Sequence, residues 1–264
     1  MTRSHRLSDL SFVEFQAALA EEPVVLLPFA SQEEQGPHAP MGDYRLTRQI
    51  ADLAAQRSGA LVAPTVPFGY ADFFRAFAGG IQLRSQTFKA LVEDVAVSLL
   101  DHGITRLIIV NGHTTNGFLI DEVMRKIQAE RGVYLTSIDI WQSLDADTWR
   151  AIHGDNASAA RGHGADPMTS VYMHYFPDQV HLDRVSPRDN GTAFGLPVQN
   201  PRSVRFGTAS INMPLSARDA NETGILGGDP SFSTPEKGAQ ISEHIIGLLC
   251  DFVAHLKTQD PKNL

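Results

Sequence analysis

A short apolar segment between two amphipathic segments constrains the fold of this chain most. Residues Leu107–Val110 are wholly apolar, as in a strand that helices cover on both faces. Helices are predicted before it, over Gln86–His102 with Gly103 just past the end, and after it, over Phe118–Arg131. Further strands are predicted over Val24–Phe29, Ala60–Val66 and Val133–Ile140. This alternation predicts an α/β fold in which helices sandwich a mostly parallel sheet.

Other segments complete a single predicted domain, residues 1–264. A helix over Ser11–Leu19 has Ser11 as N-cap and Glu14 three residues on. Residues Asp183–Leu226 are rich in Pro, Gly, Asn and Ser and lack periodicity, which indicates a long functional loop or an oligomer contact. The remaining helices are predicted over Leu46–Ala60, Thr169–Tyr175 and Thr234–Lys257, the last with Pro at its start.

The composition excludes several classes of function. Hydrophobic residues make up 42% of the 264 and charged residues 20%, as in a soluble globular protein. A net charge of −8 disfavours binding to nucleic acids or anionic membranes. The chain has one cysteine, Cys250, in an apolar helical segment, and no apolar run long enough for a signal peptide or membrane span. We therefore expect a cytoplasmic protein without disulfides.

Two polar loops follow predicted strands and point to a metal site. Residues 33–43 follow Val24–Phe29, and residues 111–116 follow Leu107–Val110. Because ligands bind beyond the carboxyl ends of parallel strands, neighbouring strands would bring Glu33, Asp43 and His113 together. Two carboxylates and an imidazole suit Zn²⁺, Mn²⁺ or Fe²⁺. An open coordination position would then hold a water of lowered pKa, ready to attack a carbonyl.

Each of these residues also has a simpler interpretation. Glu33 alone could be a solvated or capping residue, and His113 alone a satisfied loop residue. Only their joint placement after two buried strands favours a metal site. Residues His163 and Asp166 lie on a further polar loop and offer another imidazole and carboxylate.

Five motifs in order resemble the creatininase (creatinine amidohydrolase) family, over about residues 7–255. The family loop Glu-Gln-His-Gly-Pro-His reads Glu-Glu-Gln-Gly-Pro-His here, from Glu33 to His38. The family sequence Asn-Gly-His-x-x-Asn stands at residues 111–116. The other three motifs lie at residues 77–83, at 163–170, and at 228–230 with 236–238.

The resemblance implies a three-layer α/β/α sandwich, one or two divalent metals, ring or amide hydrolysis, and a homohexamer built as a trimer of dimers. By position, Glu33, Asp43 and His113 match the ligands of one metal. His163 matches a histidine that acts as acid and base or orients the substrate, and His38 matches a loop histidine near the metals. Asp166 is a further catalytic candidate. We expect the substrate to contact Tyr70, Gly79, Gly80, Asn111 and Thr115.

Departures from the family pattern concern the second metal. Gln35 stands where the family has a histidine ligand and could serve only as a weak ligand. Thr115 stands where creatininase has a glutamate, and Met168 replaces the glutamate before Thr-Ser, although Asp166 lies two residues earlier. We therefore expect one metal, Zn or Mn with Fe as an alternative, rather than two, unless Asp166 reaches the second position.

The loop is also one residue shorter than the family's. A gap-free alignment places Tyr44 opposite the family aspartate, but we favour Asp43 because tyrosine is a rare ligand. Glu34 is expected to be a bystander. The tryptophans, Trp141 and Trp149, do not lie beside His163 in the sequence, which speaks against creatinine as the substrate.

The leading hypothesis is therefore a metal-dependent hydrolase that opens a C–N bond of a small polar cyclic amide, or of a related amide, with a metal-activated water. One alternative is ring opening of a cyclic ketone, such as an oxidised inositol, by C–C hydrolysis, or of a lactone. Another is a binding protein that has kept the fold and lost the chemistry.

Overall fold

Four parallel strands form the central sheet of the computed structural model, which describes residues 3–186, 191–200 and 202–263. The order across the sheet is β2-β1-β3-β4, and every pairing is parallel. The strands are β1 (Val25–Phe29), β2 (Leu61–Val62), β3 (Leu107–Asn111) and β4 (Thr136–Asp139). The predicted sheet is confirmed, although β2 and β4 are shorter than the apolar segments that predicted them.

Helices cover both faces of the sheet and complete the predicted three-layer sandwich. On β3, Ile108 and Val110 point into a core shared with the helices of residues 44–58 and 235–256. Leu107 and Ile109 point into the opposite core, built with the helices of residues 85–101 and 117–131. Since side chains alternate between faces along a strand, a wholly apolar strand is what two cores require.

Nine α-helices lie in the ranges that the structure describes. Ser11 and Glu14 form the predicted capping box of the first helix. Gly103 follows the helix of residues 85–101 with φ +87°, the left-handed conformation that ends helices and favours glycine. The helices are α1 (Phe12–Leu19), α2 (Tyr44–Ser58), α3 (Ser85–Asp101), α4 (Gly117–Arg131), α5 (Ala146–His153), α6 (Ala157–Ala160), α7 (Met168–Tyr175), α8 (Ala217–Ala220) and α9 (Pro235–Leu256).

A second sheet lies within the segment Asp183–Leu226, where the sequence predicted only irregular structure. Its strands are antiparallel in the order β5-β6-β7-β8, and they have a small core of their own around Val198 and Val204. They are β5 (Thr192–Ala193), β6 (Leu196–Asn200), β7 (Ser203–Phe206) and β8 (Ala209–Asn212). Strands this short give too few alternations for a periodic signal. Residues 187–190 and 201 of this segment lie outside the described residues.

The register of the central sheet brings two loops together. Phe29 at the end of β1 pairs with Asn111 at the end of β3. Both strands end at the same edge of the sheet, so the loop of residues 30–43 meets the turn of residues 112–116. No helix in the described parts of the chain is long and apolar enough to cross a membrane.

Candidate metal centre

Three buried side chains converge at the edge where β1 and β3 end. Glu33 lies on the loop after β1, Asp43 immediately before α2, and His113 two residues beyond β3. One ligand atom from each lies within 4.8 Å of the others. The Nδ1 atom of His113 lies 3.0 Å from Asp43 Oδ2 and 3.2 Å from Glu33 Oε1. The structure therefore brings together the three residues in which the sequence predicted a metal site, and Tyr44 is not among them.

Backbone and hydroxyl groups hold the two carboxylates in place. The Ser31 amide donates to Asp43 Oδ1 over 2.7 Å, and the Ser31 hydroxyl donates to Glu33 Oε2. The Asp43 carbonyl accepts bonds from both the amide and the hydroxyl of Thr47, in the first turn of α2. Asp43 is thus fixed to the start of a helix, and Glu33 is fixed to Asp43 through Ser31.

Burial and mutual charge set the protonation of this cluster. Burial opposes the charge of His113, but the two carboxylates outweigh it and raise the pKa of the imidazole well above its usual range. Burial opposes ionisation of Glu33 as well, yet the positive His113 lowers the Glu33 pKa. Burial and the charge of Glu33 raise the pKa of Asp43. Without a metal, the cluster is therefore stabilised by a proton on His113.

The donor set fits a divalent cation. Two carboxylates and one imidazole nitrogen are ligands that Zn²⁺ and Mn²⁺ accept. All three side chains are at most 6% exposed, and buried carboxylates close to one another are stabilised by a proton or by a cation. A divalent ion would replace the His113 proton, so Glu33, Asp43 and His113 could hold one metal ion.

The residues at the second metal's positions make other contacts. The Gln35 amide nitrogen donates to Glu33 Oε1 over 2.6 Å, whereas its oxygen is buried without a partner in the described residues. The Thr115 hydroxyl donates to the carbonyl of Tyr70. Gln35 therefore holds the Glu33 carboxylate, and Thr115 holds the loop that contains Tyr70.

His163 and Glu34 form an imidazole–carboxylate pair beside the three-residue cluster. His163 Nε2 lies 2.8 Å from the Glu34 carbonyl and 3.1 Å from its Oε1, and the ring stacks on Phe74 at 4.2 Å. Burial opposes the charge of the ring, but Glu34 outweighs it and raises the pKa of His163. Glu34, which was expected to be a bystander, is 7% exposed, and its carboxylate contacts this histidine.

Two other predicted catalytic residues hold the surrounding structure. His38 is 1% exposed, lies outside the cavity lining, and contacts Thr169 Oγ1 at 3.2 Å through Nε2. The Asp166 carboxylate accepts hydrogen bonds from the hydroxyls of Ser170 and Ser233, at 2.7 and 2.6 Å. These contacts anchor α7 and the segment before α9, and Asp166 is not among the three clustered ligands.

The structure places the predicted substrate-binding residues at several sites, and only one of them lines the main cavity. Thr115 lines it, whereas Tyr70, Gly79, Gly80 and Asn111 do not. The Asn111 side chain instead accepts from the His113 amide and donates to the His113 carbonyl, which shapes the turn that carries the ligand. Asn111 therefore positions His113 through its backbone amide and carbonyl groups.

A cavity of about 730 Å³ opens onto the cluster. Glu33, Asp43, His113 and His163 line its floor, and Trp141 lies on its wall. The second sheet lines the mouth. Its contributions, which the sequence did not predict, are Asn200, Arg202, Ser203, Ser210 and Asn212. Only the cavity in the folded structure reveals these residues, because no motif marks them.

A family profile described as creatinine amidohydrolase matches residues 8–253, which is nearly the whole chain. The chain belongs to the creatininase family. Its members include hydrolases that are named as a creatinine amidohydrolase and as a peptidase. The resemblance seen in the motifs is thereby confirmed.

Named relatives within this family differ in what they act on. A mycofactocin precursor peptide peptidase of Mycobacterium ulcerans (strain Agy99) is 28% identical over 240 residues, covering 85% of this chain and 82% of the relative. A creatinine amidohydrolase of Pseudomonas putida is 28% identical over 200 residues, covering 70% and 77%. A 3-dehydro-scyllo-inosose hydrolase of Thermotoga maritima is 24% identical over 178 residues, covering 66% and 57%.

Solved structures show the same fold. A mutant creatininase of the Zn-Zn type superposes with a TM-score of 0.80 at 24% identity, covering 98% of this chain and all of the other. A structure titled "Creatininase Mn" gives 0.78 at 24% identity, covering 97% and 100%. The three-layer sandwich is therefore that of creatininase.

Proposed function

We propose that this protein is a metal-dependent amidohydrolase that opens a C–N bond of a small cyclic amide or a related amide. The observation that carries the proposal is the convergence of Glu33, Asp43 and His113 beside His163 at the floor of one cavity. Membership of a family in which two of the named relatives are a peptidase and an amidohydrolase supports the reaction class.

The proposed ligands are Glu33, Asp43 and His113. A divalent ion bound there would polarise the substrate carbonyl and lower the pKa of a water molecule. Ser31 and Gln35 hold the Glu33 carboxylate, and the first turn of α2 holds Asp43. The protein thus supplies a preorganised set of ligands at the bottom of a cavity.

His163 is suited to move a proton. Because the Glu34 carbonyl can only accept, the His163 Nε2 atom carries a proton and donates to it. In the neutral ring Nδ1 is then an acceptor, and it has no hydrogen-bond partner within the described ranges. Glu34 stabilises the imidazolium that forms when Nδ1 takes up a proton. His163 can therefore accept a proton and return it to the leaving nitrogen.

We propose one metal ion rather than two. The nitrogen of Gln35 faces Glu33, and the Thr115 hydroxyl is bonded to the Tyr70 carbonyl. Asp166, which could have supplied a further carboxylate, is bonded to Ser170 and Ser233. These contacts support a single metal ion, because each of the three residues already has another partner.

A linear amide is the second candidate substrate. The cavity of about 730 Å³ is larger than a five-membered ring needs and has the size of drug-sized ligand sites. A relative named as a peptide peptidase covers most of the chain. A short peptide end would fill this volume better than an isolated ring.

A substrate panel tests the proposal. Protein loaded with Mn²⁺ or Zn²⁺ is assayed with cyclic amides, short peptides, lactones and oxidised inositols, and release of the ring-opened or cleaved product is measured. We expect the wild-type protein to turn over an amide. The His113→Ala variant should lose both this turnover and the bound metal. His163→Ala should lose turnover and retain the metal. Arg150→Gln, on the outer face of α5, serves as the unchanged control.

The outcomes separate the hypotheses. Turnover of amides supports the proposal, and the better class of amide decides between a ring and a peptide end. If only lactones or oxidised inositols are turned over, the proposal that the enzyme cleaves a C–N bond is wrong. Absence of bound metal in the wild-type protein, with no turnover, would favour a binding protein.

A further inference from the structure

Two arginines line the cavity and form no ion pair with a carboxylate in the described parts of the chain. They are Arg161, which follows α6, and Arg202, which precedes β7. Among the described residues, neither guanidinium has a hydrogen bond or an ion pair. Both residues are exposed to solvent, so each presents a positive charge at the cavity of a chain whose net charge is −8.

Arg161 is held in place by an aromatic ring. Its guanidinium carbon lies 4.1 Å from the ring centre of Trp149. Trp149 is itself fixed, because it is 5% exposed and its Nε1 donates to the Ala157 carbonyl over 2.7 Å. Stacking uses the face of the guanidinium and leaves the N–H groups on its edge free to donate. Arg161 is exposed, and its stacking on Trp149 orients the guanidinium so that its edge can donate to a ligand in the cavity.

The carboxylates of the cavity are already in use. Glu33 and Asp43 surround His113, and a divalent ion would balance their charge. Asp166 accepts from Ser170 and Ser233. None of the three faces a guanidinium in an ion pair among the residues described. The cavity with its metal therefore keeps the positive charge of both arginines.

We propose that the substrate carries a carboxylate, and that Arg161 binds this group while the amide to be cleaved lies over the metal ligands. A planar guanidinium edge matches a carboxylate through two parallel hydrogen bonds. Arg202 at the mouth adds a second positive charge that attracts the anion. This inference rests on the proposed amide hydrolysis, whose substrate it makes more specific.

Matched pairs of substrates test the role of Arg161. Each pair differs only in a carboxylate, as in 5-oxoproline with 2-pyrrolidinone, or hydantoin-5-acetic acid with hydantoin. For the wild-type protein we expect a KM about 10- to 100-fold lower for the acid, the usual effect of a charge-assisted hydrogen bond. Arg161→Gln should abolish this preference, and Arg161→Lys should retain part of it. Arg150→Gln is the matched control, since Arg150 pairs with Asp147 outside the cavity.

Titration calorimetry keeps the test independent of turnover. The same pairs are titrated into the metal-loaded wild-type protein and into Arg161→Gln, and melting temperature and metal content are measured for both. If the acid binds more tightly and Arg161→Gln loses only that advantage, the inference holds, even if no amide is cleaved. Equal affinity of acid and neutral ring in the wild-type protein would overturn it. Equal losses for both in a folded, metal-loaded Arg161→Gln would assign Arg161 a structural role and overturn it too.

Discussion

Gly112 lies between β3 and the proposed ligand His113, and it is packed against Thr47 in α2. A Cβ atom at position 112 would lie 1.8 Å from Thr47 Oγ1 and 2.9 Å from Thr47 Cβ. Thr47 is fully buried, and its hydroxyl donates to the Asp43 carbonyl over 2.9 Å. Gly112→Ala must therefore displace Thr47 and break this hydrogen bond, which disturbs two of the proposed ligands at once.

The magnitude follows from these contacts. Loss of the hydrogen bond costs about 1 kcal/mol. Overpacking by one methyl group in a closed site costs about 1–3 kcal/mol. We expect Gly112→Ala to lower the free energy of unfolding by about 2–4 kcal/mol, the sum of the two. Displacement of groups that orient metal ligands should weaken metal binding by about 10- to 100-fold.

Denaturant unfolding of the metal-free protein measures the first effect, and titration with Mn²⁺ measures the second. Gly247→Ala is the matched control, because a Cβ atom there meets nothing within 4 Å and the residue lies inside α9. This control should gain about 0.5–1 kcal/mol. The double variant Gly112→Ala with Thr47→Ala removes the nearest atom and should recover most of the overpacking cost.

Two results would refute this reasoning. If Gly112→Ala unfolds within about 0.5 kcal/mol of the wild-type protein, the site can absorb the methyl group without strain. If the double variant is no more stable than Gly112→Ala, the strain does not arise from Thr47.

Three further predictions concern the site and its surroundings. Glu34→Gln should lower kcat, by less than the roughly 10²- to 10⁴-fold loss expected without His163, because a neutral amide stabilises the imidazolium less. Gln35→His combined with Thr115→Glu should raise the bound metal from one ion to two per chain, as measured by elemental analysis. His153→Gln should flatten the loss of stability on acidification. Burial lowers the His153 pKa, so the unfolded chain binds the proton more readily and the wild-type protein loses stability as pH falls below about 6.5.

Wild-type kcat in Glu34→Gln, with unchanged metal content, would remove the proposed role of the Glu34–His163 pair. One ion per chain in the double variant would show that these two positions do not limit the metal count. The free energy of unfolding is measured at about pH 7.5 and about pH 5.5. If it changes by the same amount in the wild-type protein and in His153→Gln, the pH dependence belongs to other groups.

Much of the site could be predicted because it depends on strand ends. The apolar segment Leu107–Val110 predicted a strand between two cores, and parallel pairing then fixed the edge at which residues 33–43 and 111–116 meet. The convergence of Glu33, Asp43 and His113 follows from that geometry. Their role as metal ligands stays a prediction, as does the homohexamer that the resemblance implies.

Features that arise from contacts distant in the sequence could not be predicted. Glu34 reaches His163 across 129 positions, and nothing in the local pattern distinguishes Glu34 from a solvated residue. The second sheet consists of strands of two to five residues, too short for a periodic signal. Arg161 stacks on the ring of Trp149, and no motif in the sequence marks this contact.

The two sheets divide the cavity between them, which bears on how new specificities could arise. The proposed ligands extend from the central sheet, whereas polar residues at the mouth belong to β6, β7 and β8, whose small core is separate. A gene duplicate could therefore accumulate changes in these strands while the proposed metal site stays intact. Exchange of residues 191–213 between relatives is a practical route to altered substrate range, because it leaves both large hydrophobic cores of the sandwich untouched.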